Sequence, residues 1–261
     1  MITLKSPAEV QSLHIACDFV CSIHESIRRS IQPGVCTQTL ENIVASHIAR
    51  SGAHASWLGN RGFPCVSQVC VNHEVTHALP RQSKYLRDGD TANVGFGLSL
   101  DGFFSYQYIT YPIGNIDSAT AALLTVCQKA LERGVAAAQP GNRISDISHA
   151  IQETAEAAGF GVVREFVGHG IGRVEHEEPQ IPNFVAGKSS PKIRSGMTLS
   201  LVPMIVGGSP EVGVMKDGWT VVTLDGRPAA CYSHVITVND DGPQVLTPWR
   251  INPFEQQSTT I

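Results

Sequence analysis

The amino-acid sequence predicts an α+β fold with two pseudo-symmetric halves whose antiparallel strands form one curved sheet around a central cavity. Three observations support this prediction: an internal repeat, apolar stripes at helical spacing, and Asp-Gly turns between β-rich runs. We predict a single domain over residues 1–261, with repeat halves at approximately 1–112 and 113–250 and a polar tail at 251–261.

The internal repeat is visible when the chain is laid on itself at an offset of 107 residues. The aligned strings are Pro33-Gly34 with Pro140-Gly141, Gly52 with Gly159, and Arg87-x-Gly89-x-Thr91 with Arg194-x-Gly196-x-Thr198. A repeat of this length indicates two copies of one structural unit.

The first half is predicted to open with a helix that has a complete start signal. Ser6 can cap this helix, Pro7 suits its first position, and Glu9 completes a capping box. Apolar residues then recur at helical spacing at Val10, Leu13, Cys17, Val20 and Ile27. One face of this helix is therefore expected to pack on the strands.

The second half is predicted to repeat this arrangement. Asp117 or Ser118 can cap the equivalent helix. Its apolar stripe consists of Leu123, Leu124, Cys127 and Leu131. A second, shorter helix follows in each half and is expected to end near Gly52 and Gly159, because glycine suits the left-handed position after a helix.

Strands are expected to follow the helices in each half. Two Asp-Gly turns, Leu100-Asp101-Gly102-Phe103 and Lys216-Asp217-Gly218-Trp219, lie between β-rich runs. Asp-Gly is a strong signal for a tight hairpin because both of its residues tolerate positive φ. We therefore predict a β-hairpin at each turn.

Composition excludes several classes of protein. With 42% hydrophobic and 16% charged residues, the chain can bury a substantial core, which argues against disorder. The net charge is −4 and no run of Lys or Arg offers a phosphate-binding stripe, so no nucleic-acid partner is expected. No apolar stretch is long enough for a membrane span and the start lacks a signal-peptide core. The sequence predicts a soluble cytoplasmic protein, and leaves the oligomeric state open.

Several strings are similar to those of type I methionine aminopeptidases, in order and spacing over nearly the full chain. These strings are Gly62-Phe63-Pro64, the segment 71–80 (VNHEVTHALP), Gly168-His169-Gly170-Ile171-Gly172, the segment 176–180 (HEEPQ), and Met215-Lys216-Asp217-Gly218-Trp219-Thr220. The resemblance implies the pita-bread fold shared by creatinases and these aminopeptidases, whose pseudo-symmetry agrees with the internal repeat.

The resemblance also implies a two-metal hydrolase, in which two Asp, two Glu and one His hold the ions. The implied ligand positions in this chain are Gly95, Tyr106, His169, Val202 and Ser233. Only the histidine is a strong ligand, and two divalent ions need carboxylates to neutralise their charge. We therefore expect a divergent member without a dinuclear metal site, without any cofactor, and without aminopeptidase activity: a pseudopeptidase.

The remaining side chains of the implied active site predict histidine acid/base chemistry. The expected catalytic residues are His77, His169, His176 and Tyr106. The expected substrate-binding residues are Glu175, Ser233, Val202, Gly95, Trp219, Phe63 and Asn60. Glu175 and Asn60 stand where the resemblance implies aromatic residues of the methionine pocket, so the specificity pocket is expected to differ.

Three hypotheses follow from these residues. The first is a metal-independent enzyme acting on a small molecule in a cavity made roomier and less acidic by the loss of carboxylates. The second is a non-catalytic protein that binds a peptide or another protein. The third is a hydrolase with a single metal held by His residues and Glu175. The substrate and the reaction are left open.

Overall fold

The computed structural model describes residues 1–187 and 190–249. Within these residues the α-helices are α1 (Pro7–Ile27), α2 (Thr37–Ala49), α3 (Ser118–Ala137) and α4 (Ile144–Glu156). Short 3₁₀ helices lie at Arg28–Ser30 and Asn60–Gly62. The predicted polar tail at 251–261 lies outside the described residues.

The strands of the first half are β1 (His54–Ala55), β2 (Ser67–Val71), β3 (Glu74–Thr76), β4 (Thr91–Leu100) and β5 (Phe103–Pro112). The strands that follow α4 are β6 (Gly161–Val162), β7 (Gly168–Gly170), β8 (Glu177–Ile181), β9 (Thr198–Leu201), β10 (Met204–Val206), β11 (Val212–Val214), β12 (Val221–Thr223), β13 (Ala229–Cys231), β14 (His234–Asn239) and β15 (Gly242–Val245).

These strands are paired antiparallel in four sheets. One sheet has the order β1-β4-β2 with β5 also paired to β4, and another has the order β15-β14-β9-β7-β8. Two three-stranded sheets have the orders β13-β10-β6 and β11-β12-β3. The α+β fold with antiparallel sheets around a cavity is confirmed, although the curved surface is built from several hydrogen-bonded sheets.

The helix starts agree with the sequence signals. Ser6 is the N-cap of α1, and the capping box with Glu9 is complete. The side chain of Asp117 accepts a hydrogen bond from the N–H of Thr120, so Asp117 is the cap of α3. Both long helices pack against strands through fully buried residues such as Leu13 and Leu124.

Glycines that are paired by the repeat have similar backbone angles. Gly52 and Gly159 have φ values of +80° and +81°, and each follows the end of the second helix of its half. Gly34 and Gly141 have φ values of +87° and +92°. Since L side chains rarely adopt such angles, glycine is required at the same points of both halves.

The two Asp-Gly strings form different turns. Asp101 and Gly102 are the two residues between β4 and β5, with φ values of +50° and +78°, as the sequence predicts. The second hairpin is looser than predicted, because β11 ends at Val214 and β12 begins at Val221. There the Asp217 side chain accepts hydrogen bonds from the N–H groups of Trp219 and Thr220 and thereby stabilises a longer connection.

The two halves are joined by hydrogen bonds near the middle of β5. The N–H of Ser233 donates to the carbonyl oxygen of Tyr108 at 3.1 Å. The Thr110 hydroxyl donates to the carbonyl oxygen of Cys231 at 2.8 Å. These bonds place β5 next to the segment that leads from β13 to β14, and the cavity lies beside this junction. No helix among the described residues is both long and apolar enough for a membrane span.

Candidate active site

The candidate active site is a cavity of about 470 Å³ lined by both halves of the chain. Nine of the predicted site residues line it: Asn60, Phe63, His77, Tyr106, His169, Glu175, His176, Val202 and Trp219. Residues that the sequence reasoning did not single out also line it, namely Trp57, Arg61, Thr76, Tyr108, Glu165, Phe166, Val167 and Met204. The four predicted catalytic side chains are therefore brought together in one cavity.

Two predicted substrate-binding residues, Gly95 and Ser233, are not part of the cavity lining. Ser233 is fully buried, and its Oγ accepts a hydrogen bond from the N–H of Tyr108 at 2.9 Å. The ring of Tyr108 lies against Gly95. A Cβ atom added to Gly95 would be only 2.6 Å from Tyr108 Cε1. The structure therefore places neither residue on the cavity surface, in contrast to the prediction that both contact a ligand: the Tyr108 ring covers Gly95, and Ser233 is hydrogen-bonded to the Tyr108 backbone.

His169 is held in a defined orientation through both ring nitrogens. Its Nδ1 lies 2.8 Å from the carbonyl oxygen of Gly170, and its Nε2 lies 2.9 Å from the hydroxyl of Tyr106. A carbonyl oxygen can only accept, so Nδ1 carries the proton and Nε2 accepts from Tyr106. Burial lowers the pKa of His169 to about 4, because desolvation outweighs the hydrogen bond to Gly170, and positive charge on His176 lowers it further. The ring is neutral at pH 7.

His77 is positioned by its backbone and by Gln68. Its φ is +55°, in the left-handed region, and its N–H donates to Gln68 Oε1 at 2.7 Å. Gln68 Oε1 also accepts from the hydroxyl of Thr76, which fixes the residue before His77. Burial, and secondarily the nearby His176, lower the pKa of the half-buried His77 ring, so this histidine too is neutral near pH 7.

Three large aromatic rings form one wall of the cavity. The ring centroids of Trp57, Tyr106 and Tyr108 lie 5.4 to 6.3 Å apart in each pairing. Tyr106 and Tyr108 are two residues apart on β5 and therefore share a face of the strand, a signal that was available in the sequence. The ring of Tyr108 fills the space beside Gly95, so this small residue does not enlarge the cavity.

Glu175 is a buried residue at the base of this aromatic wall. It is 6% exposed, and its Oε1 accepts hydrogen bonds from Trp57 Nε1 at 2.6 Å and from Ser56 Oγ at 3.0 Å. A Cβ atom added to Gly97 would lie 2.6 Å from Trp57 Nε1, so the glycine makes room for this group. The predicted binding residue Glu175 is therefore held rigidly at the cavity.

The described residues do not fit the two metal ions that the family resemblance implies. Among residues 1–187 and 190–249, no group of three or more His, Cys, Asp or Glu side chains is arranged to hold a metal ion. His169 Nε2 is occupied by the Tyr106 hydroxyl, and the ring of Tyr108 fills the space beside Gly95. The same finding leaves the single-metal hypothesis, with His residues and Glu175 as ligands, without support in the described part of the chain.

Comparison with known proteins relates the chain to one family of enzymes. The model of metallopeptidase family M24 matches residues 11–238. "Methionine aminopeptidase 1" of Bacillus subtilis is 40% identical over 247 residues, which cover 95% of this chain and 99% of that protein. "Methionine aminopeptidase" of Escherichia coli is 34% identical and covers 94% of each chain.

Solved structures show the same relationship. The methionine aminopeptidase from Thermotoga maritima superimposes with a TM-score of 0.92 at 36% identity, covering 95% of this chain and 99% of that one. The methionine aminopeptidase from Rickettsia prowazekii has a TM-score of 0.92 at 31% identity, covering 95% and 100%.

These relatives contradict the function that we expected from the sequence. Proteins named methionine aminopeptidase match this chain at 34–40% identity over nearly its full length. The expected metal-independent enzyme without aminopeptidase activity, acting on a small molecule, is therefore wrong, and so is the alternative of a non-catalytic pseudoenzyme. The matches over residues 11–238 and with these full-length relatives show that the chain belongs to metallopeptidase family M24, within the methionine aminopeptidases.

Proposed function

We propose that this chain is an aminopeptidase that acts on the amino-terminal residue of peptides, the activity in the names of its relatives. The observation that supports a substrate role for the cavity is that His77, His169 and His176 all line it. Its volume of about 470 Å³ lies within the range of small-ligand sites and accommodates an amino-terminal residue with its first peptide bond.

An apolar first side chain would bind against the aromatic residues that surround His77. The ring centroids of Phe63 and Trp219 are 5.2 Å apart, and His77 lies between Phe63 and Phe166 at 6.3 and 5.5 Å. Burial of an apolar side chain there stabilises the complex by about 25 cal/mol per Å² removed from water.

The histidines would contact the peptide bond. The neutral ring of His77 can both donate and accept a hydrogen bond, which suits an amide N–H or carbonyl oxygen. His176 is exposed at the cavity, with its ring centroid 4.2 Å from that of His169. We assign substrate contacts to His77 and His176, and a positioning role to His169 and Tyr106, which are hydrogen-bonded to each other.

We also propose that the chain is a divergent member of its family, in which Gly95, Tyr106, Val202 and Ser233 replace carboxylate metal ligands. The packing supports this proposal, because Val202 and Ser233 are buried, and Tyr106 is hydrogen-bonded to His169. A carboxylate at residue 95 would meet the ring of Tyr108. No hydrolytic step through a metal is assigned to these residues.

A peptide-cleavage assay tests the proposed activity. The chain is incubated with the tripeptide Met-Ala-Ser, alone and with Mn²⁺ or Co²⁺, and free methionine is measured by mass spectrometry. The Bacillus subtilis relative serves as the active control, and His77→Ala and His176→Ala as matched variants. We expect release of methionine that both substitutions reduce, with stability unchanged in thermal unfolding.

Different results would refute the proposed activity and the proposed divergence of the ligand positions. If the chain releases no methionine under conditions in which the relative does, the aminopeptidase proposal is wrong. Calorimetric titration with Mn²⁺ or Co²⁺ examines the ligand positions separately. Tight binding of two ions per chain would refute the proposal that these positions have diverged.

A further inference from the structure

We infer that Glu175 binds the positively charged amino group of the ligand, an organic ammonium ion held between its carboxylate and the rings of Trp57, Tyr106 and Tyr108. This inference rests on the proposed function, since it names the chemical group of a peptide that the cavity recognises. It concerns a residue that stands where the family resemblance implies an aromatic side chain.

Among the described residues, hydrogen-bond donors contact only one of the two carboxylate oxygens of Glu175. Both of its hydrogen-bond donors, Trp57 Nε1 and Ser56 Oγ, contact the same oxygen, Oε1. No donor within the described part of the chain contacts Oε2. Glu175 lines the cavity, and the inference assigns this second oxygen to a donor on a ligand.

Within the described part of the chain, the carboxylate of Glu175 has no cationic partner. No Lys, Arg or His of residues 1–187 and 190–249 lies within 4.0 Å of its carboxylate oxygens. Arg61 lines the same cavity but is exposed, and His169 is neutral at pH 7 because its pKa is about 4. A buried carboxylate without a counter-charge is unfavourable, so a cationic ligand is stabilised there.

The aromatic wall adds to this preference. Trp57 contacts both Glu175 and Tyr108, since its Nε1 donates to the carboxylate and its ring centroid is 5.4 Å from that of Tyr108. The faces of aromatic rings carry partial negative charge and attract ammonium groups. Burial raises the pKa values of Tyr106 and Tyr108, and the nearby carboxylate of Glu175 adds a smaller contribution in the same direction.

The chemistry of the site favours an ammonium ion over a metal ion. A divalent metal needs several oxygen or nitrogen ligands in a closed geometry, and the described residues offer no such group. An ammonium ion needs one acceptor of opposite charge and can direct its other N–H bonds to water or to the ligand itself. The α-amino group of a peptide is positively charged at neutral pH and meets this requirement.

The test is a calorimetric titration of the intact chain and of Glu175→Gln with three peptides and one simple amine. The substitution keeps the size of the side chain and an oxygen that can accept from Trp57. Met-Ala-Ser carries a free α-amino group, acetyl-Met-Ala-Ser carries none, and acetyl-Lys-Ala-Ser carries only a side-chain amine. The simple amine is n-butylammonium. Glu165→Gln is the matched control, because Glu165 is an exposed carboxylate at the rim of the same cavity.

We expect Glu175→Gln to weaken binding of Met-Ala-Ser by about tenfold or more, and Glu165→Gln to change it by less than about twofold. Acetyl-Met-Ala-Ser should bind weakly and equally to the intact chain and to Glu175→Gln. If only acetyl-Lys-Ala-Ser depends on Glu175, the ammonium source is a side chain. The inference is overturned if no amine, including n-butylammonium, depends on Glu175. Binding of n-butylammonium without binding of any peptide would support this inference and refute the peptide substrate.

Discussion

Substituting Gly95 by alanine measures how closely the ring of Tyr108 is packed against strand β4. A Cβ atom at residue 95 would lie 2.6 Å from Tyr108 Cε1 and closer still to Cδ1, and 3.2 Å from Gln68 Cγ. Non-bonded carbon atoms prefer a separation of about 3.5–4.0 Å, so the ring would have to move by about 1 Å. The ring is restrained by Trp57, and its backbone by two hydrogen bonds with Ser233.

Overpacking of this kind destabilises a protein by about 1–3 kcal/mol. Alanine is favoured over glycine within a strand by roughly 0.5–1 kcal/mol, which partly offsets the steric effect. We therefore expect Gly95→Ala to lower the free energy of unfolding by about 1–2 kcal/mol. Unfolding in guanidinium chloride, followed by circular dichroism, measures this change. Gly207→Ala is the control, since the nearest atom to its added Cβ is 3.4 Å away.

The decisive comparison repeats the substitution in a Tyr108→Ala background. Removal of the ring leaves room for the new Cβ atom, so Gly95→Ala should then be neutral or slightly stabilising. The coupling energy between the two positions should be about 1–3 kcal/mol. An equal destabilisation by Gly95→Ala in both backgrounds would show that Tyr108 does not fill this space.

Three further predictions concern other buried polar groups. His24 is buried and its pKa is lowered to about 3, below the ordinary 6.5, so the stability it contributes at neutral pH is lost as the pH falls from about 6.5 toward 3. The loss by pH 5 should be about 2 kcal/mol, and the difference in unfolding free energy between pH 7 and pH 5 should shrink in His24→Gln. Tyr106→Phe removes the hydroxyl that donates to the neutral ring of His169, so the pKa of His169 should rise, which an NMR titration of its ring protons can follow. Glu41 accepts hydrogen bonds from two backbone N–H groups at the start of β2, so Glu41→Ala should destabilise the chain by about 3 kcal/mol in denaturant unfolding, and Glu41→Gln by less.

Local signals in the sequence were reliable guides to secondary structure. The capping box at Ser6 and Glu9 and the tight turn at Asp101-Gly102 formed as predicted. Both depend on residues within a few positions of one another, so their geometry is decided by neighbours in the chain. The turn at Asp217 was looser than expected. The Asp217 carboxylate accepts hydrogen bonds from the N–H groups of Trp219 and Thr220, which stabilises a connection longer than two residues.

The sequence predicted most of the site residues that line the cavity, but not how their side chains pack. The histidines and Tyr106 were identified from motif positions, and the structure brings them to one cavity. The roles of Trp57 and Tyr108 were missed. These two residues are far apart in the chain, and only the fold brings their rings into contact. Whether a small residue leaves empty space depends on which distant side chain fills it, and a single sequence does not encode that distance locally.

The functional prediction was wrong because it gave too much weight to a few residues. It was drawn from five positions, whereas the similarity to methionine aminopeptidases extends over 247 residues. By itself the sequence determined the fold class, the helix starts, the repeat and the histidines, because these follow from short-range chemistry and from extended motifs. Only the tertiary structure decided that the ring of Tyr108 covers Gly95 and that Glu175 lies buried beside Trp57, because packing between distant segments sets which polar groups reach the cavity.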